Sequence, residues 1–395
     1  MNKQPEKARS DTMRILFCTH DMDSGGSGRS LSILIRQLAP RHDISVLSLI
    51  PPNPAKGIGK LYEGLGVQVY VIPWGWLPVS YVACRVDAAT QKSRCAQLRP
   101  YVPQIKELGK KFDAICFNGY PSSSLAALFP SAIPKFLIAR EVVDSSSPEL
   151  STVAAFLRKH IRHAFAIGRV EGEQLAKWEI PHTIVYNSSP ATPRFRELPP
   201  SPPILFGAFG QLIPGKGFDV LAQACLQAAP ALRSSQSSVH IFGGTGNPAL
   251  SPLENPIQDF IARNKLHDVL YMEGWTNSVE DSMADMHCII RPDETGHPWG
   301  RDIIEAMSIG RPVLATGTED LFIHEAENGW LVPPGNAQAL AKAITALTRS
   351  APLLGRMAKN AFAFAQEHFD PECNAKKIEA VITADTGTIA GPCAE

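Results

Sequence analysis

Short apolar runs alternate with helical stretches along the whole chain, and the alternation starts twice. In the first half the candidate strands include residues 14–19, 44–49, 67–72, 114–117, 136–139 and 164–167, and helical patterns such as 28–39 and 122–128 separate most of them. Strand–helix alternation is the signature of a parallel sheet covered on both faces. Residues 187–203, NSSPATPRFRELPPSPP, then place six prolines in a row of irregular chain. Proline lacks the amide that a helix interior or a central strand needs, so this stretch reads as a connection between domains. The alternation resumes with strands at 204–209, 239–242, 269–272, 287–290 and 312–315, a helix over 217–229, and a helical end from residue 337.

The expected fold class is therefore α/β, with two doubly wound, Rossmann-like parallel-sheet domains facing a cleft. The expected boundaries are 1–190, a proline-rich linker over 191–203, 204–370, and a helix and tail over 371–395 that return to the first domain. Two domains of this size suit a chain of 395 residues. Ligands of open parallel sheets bind outside the carboxyl ends of the strands, so the functional residues should follow strands.

Charge separates the halves. Residues 1–190 hold 23 Lys and Arg against 15 Asp and Glu, and the remainder holds 15 against 23, so the formal net charge is zero. Either the halves complement each other or they meet different partners. Eight scattered cysteines form no C-x-x-C pair; Cys18, Cys116 and Cys288 sit in apolar runs and read as small buried hydrophobes. No run approaches the ~20 apolar residues that span a bilayer, and the first ten residues are polar. A cytoplasmic protein, peripheral at the inner face of the membrane, is the expectation, with no nucleic acid among its partners.

Three loops are candidates for holding phosphate. After the first strand comes DMDSGGSGRSL, where Gly25 and Gly26 would let backbone amides approach an anion at a helix N-terminus; a tight turn explains them equally well. After residue 209 comes GQLIPGKGF. It approaches a Walker A motif but carries Gly217 where the metal-binding hydroxyl would stand, which disfavours an NTPase. Lys216 still offers a point charge to a diphosphate, or is a solvated turn lysine. The third is HPWGRDIIEAMSIGRPVLAT, in which Gly300 precedes a helix and Glu305 lies among Ile303, Ile304, Ala306 and Met307. A carboxylate in apolar company needs a partner: ribose hydroxyls, or a neighbour such as Arg301.

These segments together resemble the retaining GT-B glycosyltransferases of cell-envelope synthesis (family 4-like, group 1). The likeness covers nearly the whole chain and is strongest from Phe206 to Pro334, in FGQLIPGKGFDVLAQA, FGGTGNP, YMEGWTNSVEDSMADMHCIIRP and RDIIEAMSIGRPVLATGTEDLFIHEAENGWLVPPGN. It implies donor-binding roles for Gly25, Gly26, Gln211, Lys216, Gly244, Trp275, Gly300, Arg301 and Glu305. It implies reaction-site roles for Asn118, His297 and Glu294. Three positions depart from the family pattern. Gln211 stands where an arginine is usual. His297 stands where the first of two glutamates is usual, with Glu294 three residues earlier. Asn118 stands where a histidine is usual.

The resemblance implies transfer of a hexose from a nucleoside-diphosphate sugar, with retention, to a glycan or lipid-linked acceptor. It implies no cofactor and no obligatory metal, and no His/Cys/Asp/Glu cluster has metal-ligand spacing. Trp74, Trp76 and Tyr81, with nine Lys and Arg between Lys56 and Lys111, suit either a membrane-borne acceptor or a core with solvated helix faces. Two other readings stay open: a GT-B binding protein with impaired catalysis, favoured by the three departures, and a sugar-nucleotide epimerase, which needs positioned acid and base groups.

Overall fold

The computed structural model describes residues 12–20, 22, 26–50, 58–72, 99–143, 150–247, 249–296, 300–317 and 322–386. The chain forms two units. One takes residues up to Ser188 and from Pro371 onward; the other runs from Ser189 to Asp370.

In the first unit the elements run β1 (Arg14–Thr19), α1 (Gly26–Leu38), β2 (Asp43–Ser48), α2 (Ile58–Gly64), β3 (Gln68–Val71), α3 (Val102–Gly109), β4 (Ala114–Asn118), α4 (Tyr120–Ser123), β5 (Lys135–Ala139), α5 (Leu150–His160), β6 (His163–Ala166), α6 (Arg169–Lys177) and β7 (His182–Ile184). The seven strands are parallel, in the order β3-β2-β1-β4-β5-β6-β7. Every residue of β4 and β5 is buried, whereas the edge strand β3 is at most half-buried. Helices on both faces make a central strand apolar throughout and leave the edges wet.

The second unit contains β8 (Leu205–Phe209), α7 (Phe218–Ser234), β9 (Ser238–Phe242), α8 (Glu254–Arg263), β10 (Leu270–Gly274), α9 (Val279–Ala284), β11 (Cys288–Arg291), α10 (Arg301–Ser308), β12 (Val313–Thr316), β13 (Gly329–Val332), α11 (Ala337–Leu347) and α12 (Ala351–His368). Its sheet has the order β10-β9-β8-β11-β12-β13, all parallel where paired. A last helix, α13 (Pro371–Asp385), belongs to the first unit. Arg41 and His42 hold it there: Arg41 pairs with Glu379 at 2.8 Å and Glu372 at 3.2 Å, and His42 Nε2 lies 2.8 Å from Glu379.

In each sheet, successive strands run one way from the first strand and the other way from a later one. The direction reverses between β1 and β4 in the first unit and between β8 and β11 in the second. A crevice opens at such a switch point beyond the strand ends, and it needs no further construction to receive a ligand.

Two local expectations need correction. The helix expected over 122–128 is instead the single turn α4 followed by a 3-10 turn over Ser124–Ala127. Ser122, Ser123 and Ser124 each bond the carbonyl three residues back, and such side-chain bonds compete with regular helix. The proline-rich stretch is not a free connection either, because residues 189–203 belong to the second unit. The amides of Arg194 and Arg196 bond the carbonyls of Ser308 and Ile309, and Phe195 packs edge-on against Phe362. Arg311, fully buried, donates to the carbonyls of Arg196, Glu197 and Ala284 at 2.7–2.8 Å.

Candidate active site

In the second unit, β8 ends at Phe209 and a turn carries the chain to α7. Gly217 caps α7 at φ +71°, and a Cβ there would lie 1.9 Å from the Pro292 carbonyl oxygen, so only glycine fits. This close approach locks the turn against the segment leaving β11. The Glu294 amide donates to the Gly215 carbonyl at 3.0 Å, and Lys216 Nζ lies 3.0 Å from Asp293 Oδ2. Lys216 is thus held at the switch point by a carboxylate that is itself nearly sealed from solvent.

Asp293 is the centre of a charged chain. Its Oδ2 also accepts from Arg291 Nη2 at 3.1 Å, its Oδ1 accepts from the Thr295 amide at 2.9 Å and from the Thr295 hydroxyl, and Thr316 bonds its carbonyl. Arg291 Nη1 in turn reaches Asp302 in the first turn of α10 at 2.7 Å. Burial pushes the Asp293 carboxyl up, but Thr295, Arg291 and Lys216 outweigh it and hold the group below its ordinary value. Burial likewise works against the Arg291 charge, and Asp302 and Asp293 outweigh it.

Helix α10 begins at the extended residue Gly300, which makes no side-chain cap, and carries the acidic Asp302 in its first turn. Arg301 and Glu305, one turn apart, pair at 3.0 Å. That pair explains how Glu305 stands at 8% exposure among apolar residues. The neighbour anticipated as its alternative partner, Arg301, is present, and the carboxylate is held in one place.

The other positions singled out in this unit are spread along the same strand ends. Gln211 is exposed after β8, and Glu294 is exposed after β11. Gly244 follows β9 at φ +87°; beside it Glu254 accepts the amides of Thr245 and Gly246, both at 3.1 Å, so those two amides are already engaged. Trp275 follows β10 at 70% exposure, its indole N–H bonded to Asn277. His297 lies outside the described residues.

In the first unit the switch point is flanked by Thr19 and Asn118. The Asn118 amide donates to Thr19 Oγ1 at 3.3 Å, and its carbonyl oxygen accepts from Arg140 Nε. Arg140 also donates to Asn187 at 2.6 Å. Gly119 turns the chain at φ +89°, where a Cβ would meet Glu141 Oε1 at 2.7 Å; Glu141 accepts the Tyr120 amide at 3.1 Å. Behind it Glu171 is fully buried, and among the described residues no other residue hydrogen-bonds either carboxyl oxygen. Burial, reinforced by Glu141, pushes its carboxyl up to about 7, against the pull of its own amide. Burial also raises Glu141, opposed by the Tyr120 amide, His20 and Arg140. Gly26 opens α1 and is exposed; Gly25, Trp74, Trp76 and Tyr81 lie outside the described residues. Cys18, Cys116 and Cys288 are buried thiols.

Sequence reasoning missed Asp293, Arg291, Arg140, Glu141 and Glu171. Each ends or follows a strand or opens a helix, and the signal was available: RPD after CII and RE after FLIA are charges set directly on the ends of apolar strands. Among the described residues, no group of three His, Cys, Asp or Glu could hold a metal ion, and no helix is long and apolar enough to cross a membrane.

Residues 203–350 match the family model described as Glycosyl transferases group 1. The chain carries a group 1 glycosyltransferase domain. The match covers β8 to α11, so the Lys216–Asp293–Arg291 chain and the Arg301–Glu305 pair all lie inside that domain. Over 160 residues the chain is 28% identical to the colanic acid biosynthesis glycosyltransferase WcaL of Salmonella typhimurium, a stretch that is 38% of this chain and 37% of WcaL. Over 148 residues it is 31% identical to an exopolysaccharide phosphotransferase of Streptomyces coelicolor, covering 36% of this chain and 15% of that protein. The chain thus spans well under two thirds of these relatives' lengths. Among solved structures, HepE of Anabaena superposes with a TM-score of 0.74 at 20% identity, over 94% of this chain and 100% of HepE. The fold around the glycosyltransferase domain is GT-B: two Rossmann-like units, each with its own parallel sheet.

Proposed function

We propose that the protein transfers a hexose from a nucleoside-diphosphate sugar to a glycan or lipid-linked acceptor, with retention, in polysaccharide or glycolipid synthesis. The observation that carries this reading is the β8/β11 switch point, where Lys216 is joined through Asp293 and Arg291 to Asp302 in the first turn of α10. A cation and a row of backbone amides suit a diphosphate leaving group and would stabilise the charge it develops. Glu305, paired with Arg301 one turn further along α10, is the group proposed to accept ribose hydroxyls. HepE has been solved with UDP and with UDP-glucose, and WcaL is named for colanic acid biosynthesis; both fit the same substrate class. Neither the donor nor the reaction in this reading requires a metal or other cofactor. Asn118, Glu294 and His297 are the groups proposed to face the reacting sugar.

The test is transfer of labelled hexose from a panel of nucleoside-diphosphate sugars to a lipid or glycan acceptor fraction, with the anomeric configuration of the product read by NMR. Retention supports the reading; an inverted product, or no transfer from any donor, overturns it. The half-buried Glu141, raised by burial and set beside the fully buried Glu171, would also serve acid–base work on a bound sugar, which is the epimerase reading. Incubating the donor alone separates the two: an isomerised donor supports the epimerase.

A further inference from the structure

A polar cavity of about 720 Å³ opens in the first unit, at the end of the sheet away from the β1/β4 switch point. Met13, Asp113, Lys135 and Arg162, at the starts of β1, β4, β5 and β6, line it together with the last turn of α5 and Asp385 at the end of α13. Its charges are unevenly matched. Asp113 is held by Arg14 at 2.5 Å, Asp385 by Arg162 at 3.0 Å, and Arg158 pairs with Glu179 at 3.1 Å. Lys135 and Lys159 remain, and among the described residues no carboxylate pairs with either. A lysine at the end of a helix complements its dipole, so the exposed Lys159 by itself would mean little. Lys135 is a different case. It opens β5, is 4% exposed, and its ammonium donates to the carbonyls of Pro130 at 2.7 Å and Ile133 at 3.1 Å. Two carbonyls use two of its three donors and cancel none of its charge. A buried charge without a counter-ion is costly, and burial alone pulls this lysine below its ordinary pKa. The two ammonium groups converge on His160, whose pKa burial lowers first and Lys159 and Lys135 lower further.

We propose that this cavity is a second ligand site, which binds a phosphate monoester between Lys135 and Lys159. Such a group carries about −1.5 to −2 charges at neutral pH and three strong acceptor oxygens, which suits two cations that lack a carboxylate. The third donor of Lys135 would go to the ester, and hydrogen bonds between ionised partners are the strong ones. Asp113 and Asp385 do not oppose the anion, because each is already neutralised by its own arginine. The hydroxyls of Thr12 and Ser131 also line the cavity and are left for the polar group that bears the phosphate. A soluble phosphorylated metabolite and a phospholipid headgroup offer the same chemistry, and the experiment separates them. The site is independent of the glycosyltransferase reading, since none of its residues lies at the strand ends that carry that reading.

The test is titration of the full chain with glycerol 3-phosphate at constant ionic strength, with and without excess UDP, read by calorimetry and by the ring signals of His160 in NMR. Binding should raise the His160 pKa, because the anion offsets the two lysines, and UDP should not displace it. Lys135→Met keeps the length of the side chain without its charge and should weaken binding about tenfold or more, the loss of a charge-assisted contact. Lys110→Ala, at an exposed lysine paired with Glu107 outside the cavity, should change nothing. If Lys135→Met does not fold, the exposed Lys159→Glu takes its place. A second arm compares vesicles containing phosphatidic acid, a monoester, with phosphatidylserine vesicles of equal charge. Binding of glycerol 3-phosphate assigns a soluble ester; binding confined to phosphatidic acid assigns a lipid headgroup. The proposal is overturned if neither monoester binds in preference to its control, if UDP displaces the ester completely, or if the deciding lysine variant binds as tightly as the wild type. A chain that binds no UDP would remove the donor reading and leave this site untouched.

Discussion

Lys216 and Asp293 form an ion pair of 3.0 Å in which the lysine side chain is 39% exposed and the carboxylate only 2%. The asymmetry orients the pair: the carboxylate belongs to the protein interior and the ammonium faces outward. Lys216→Ala removes the outward charge but leaves Asp293 bonded to Arg291 and Thr295. The variant should therefore stay folded and lose nucleoside-diphosphate affinity by about 1.5–3 kcal/mol, the range of a charge-assisted hydrogen bond. Unchanged affinity by calorimetry would show that the lysine serves Asp293 and not a ligand.

Glu305 already has a partner in Arg301, so its proposed contact to ribose must be separated from that pair. Comparing a ribose diphosphate with its 2′-deoxy form does so. The wild type should prefer the ribose form, and Glu305→Gln should erase most of that preference while affecting the deoxy form less. Equal discrimination by both proteins would assign Glu305 to holding Arg301 alone.

Glu171 makes stability depend on pH. Its carboxyl is raised from an ordinary value of 4.5 to about 7 by burial first and by Glu141 second. The folded chain therefore holds a proton that the unfolded chain gives up, and the linkage destabilises the fold as pH rises through this window. The penalty is absent below pH ~4.5, where both states are protonated, and complete above ~7, where it reaches the order of 3 kcal/mol. The groups around it set the window: Glu141 raises it, and Tyr120 is pushed up by burial first and then by both carboxylates. Glu171→Gln should raise the melting temperature at pH 8 and change it little at pH 4.5. A constant difference across that range would mean that the carboxyl does not titrate there.

Most strands were legible because each is a continuous apolar run ended by a polar turn; β1 matches to the residue and β4 to within one. Two were not. β7 is three residues, HTI, none of them buried, and β13 is GWLV with only its ends buried, so neither makes a run or an alternation. Prolines correctly marked 187–203 as irregular, but composition says nothing about what an irregular segment packs on; Phe195 and Arg311 decide that. At the site, Lys216 and Glu305 stood out by motif. Asp293 and Arg291 read as an ordinary charged turn, because their role depends on the β8–β11 adjacency, which no local pattern reveals.

The basic balance of residues 1–190 and the Trp74–Trp76 pair carry a separate expectation, reversible docking on anionic membrane. Co-sedimentation with phosphatidylserine-containing liposomes should exceed that with neutral liposomes and fall between 50 and 300 mM salt, as about one Debye length of screening demands. Equal pelleting with both would remove electrostatics from the account.

Arg311 is the residue on which the proline-rich strap depends. It is fully buried, and its two terminal nitrogens reach Arg196 and Ile309 and Gly310 on one side, Glu197 and Ala284 on the other. Burial lowers its pKa to about 10, with Arg196 adding to the effect, so it remains charged at neutral pH. Among the described residues no carboxylate pairs with it; carbonyl dipoles solvate the charge instead. Arg311→Met fills similar volume but leaves those carbonyls without their donor. Each buried acceptor so stranded costs about 1–3 kcal/mol unless water reaches it. The strap lies on the surface side of the bonds, so the cheaper response is for it to lift and admit water. Arg311→Met should then lower the stability of the second unit by about 3 kcal/mol and make the chain at 194–200 newly sensitive to limited proteolysis. Loss of stability without new cleavage there would mean that the strap is held by Phe195 and the Arg194 and Arg196 amides, and that Arg311 stabilises the end of α10 alone.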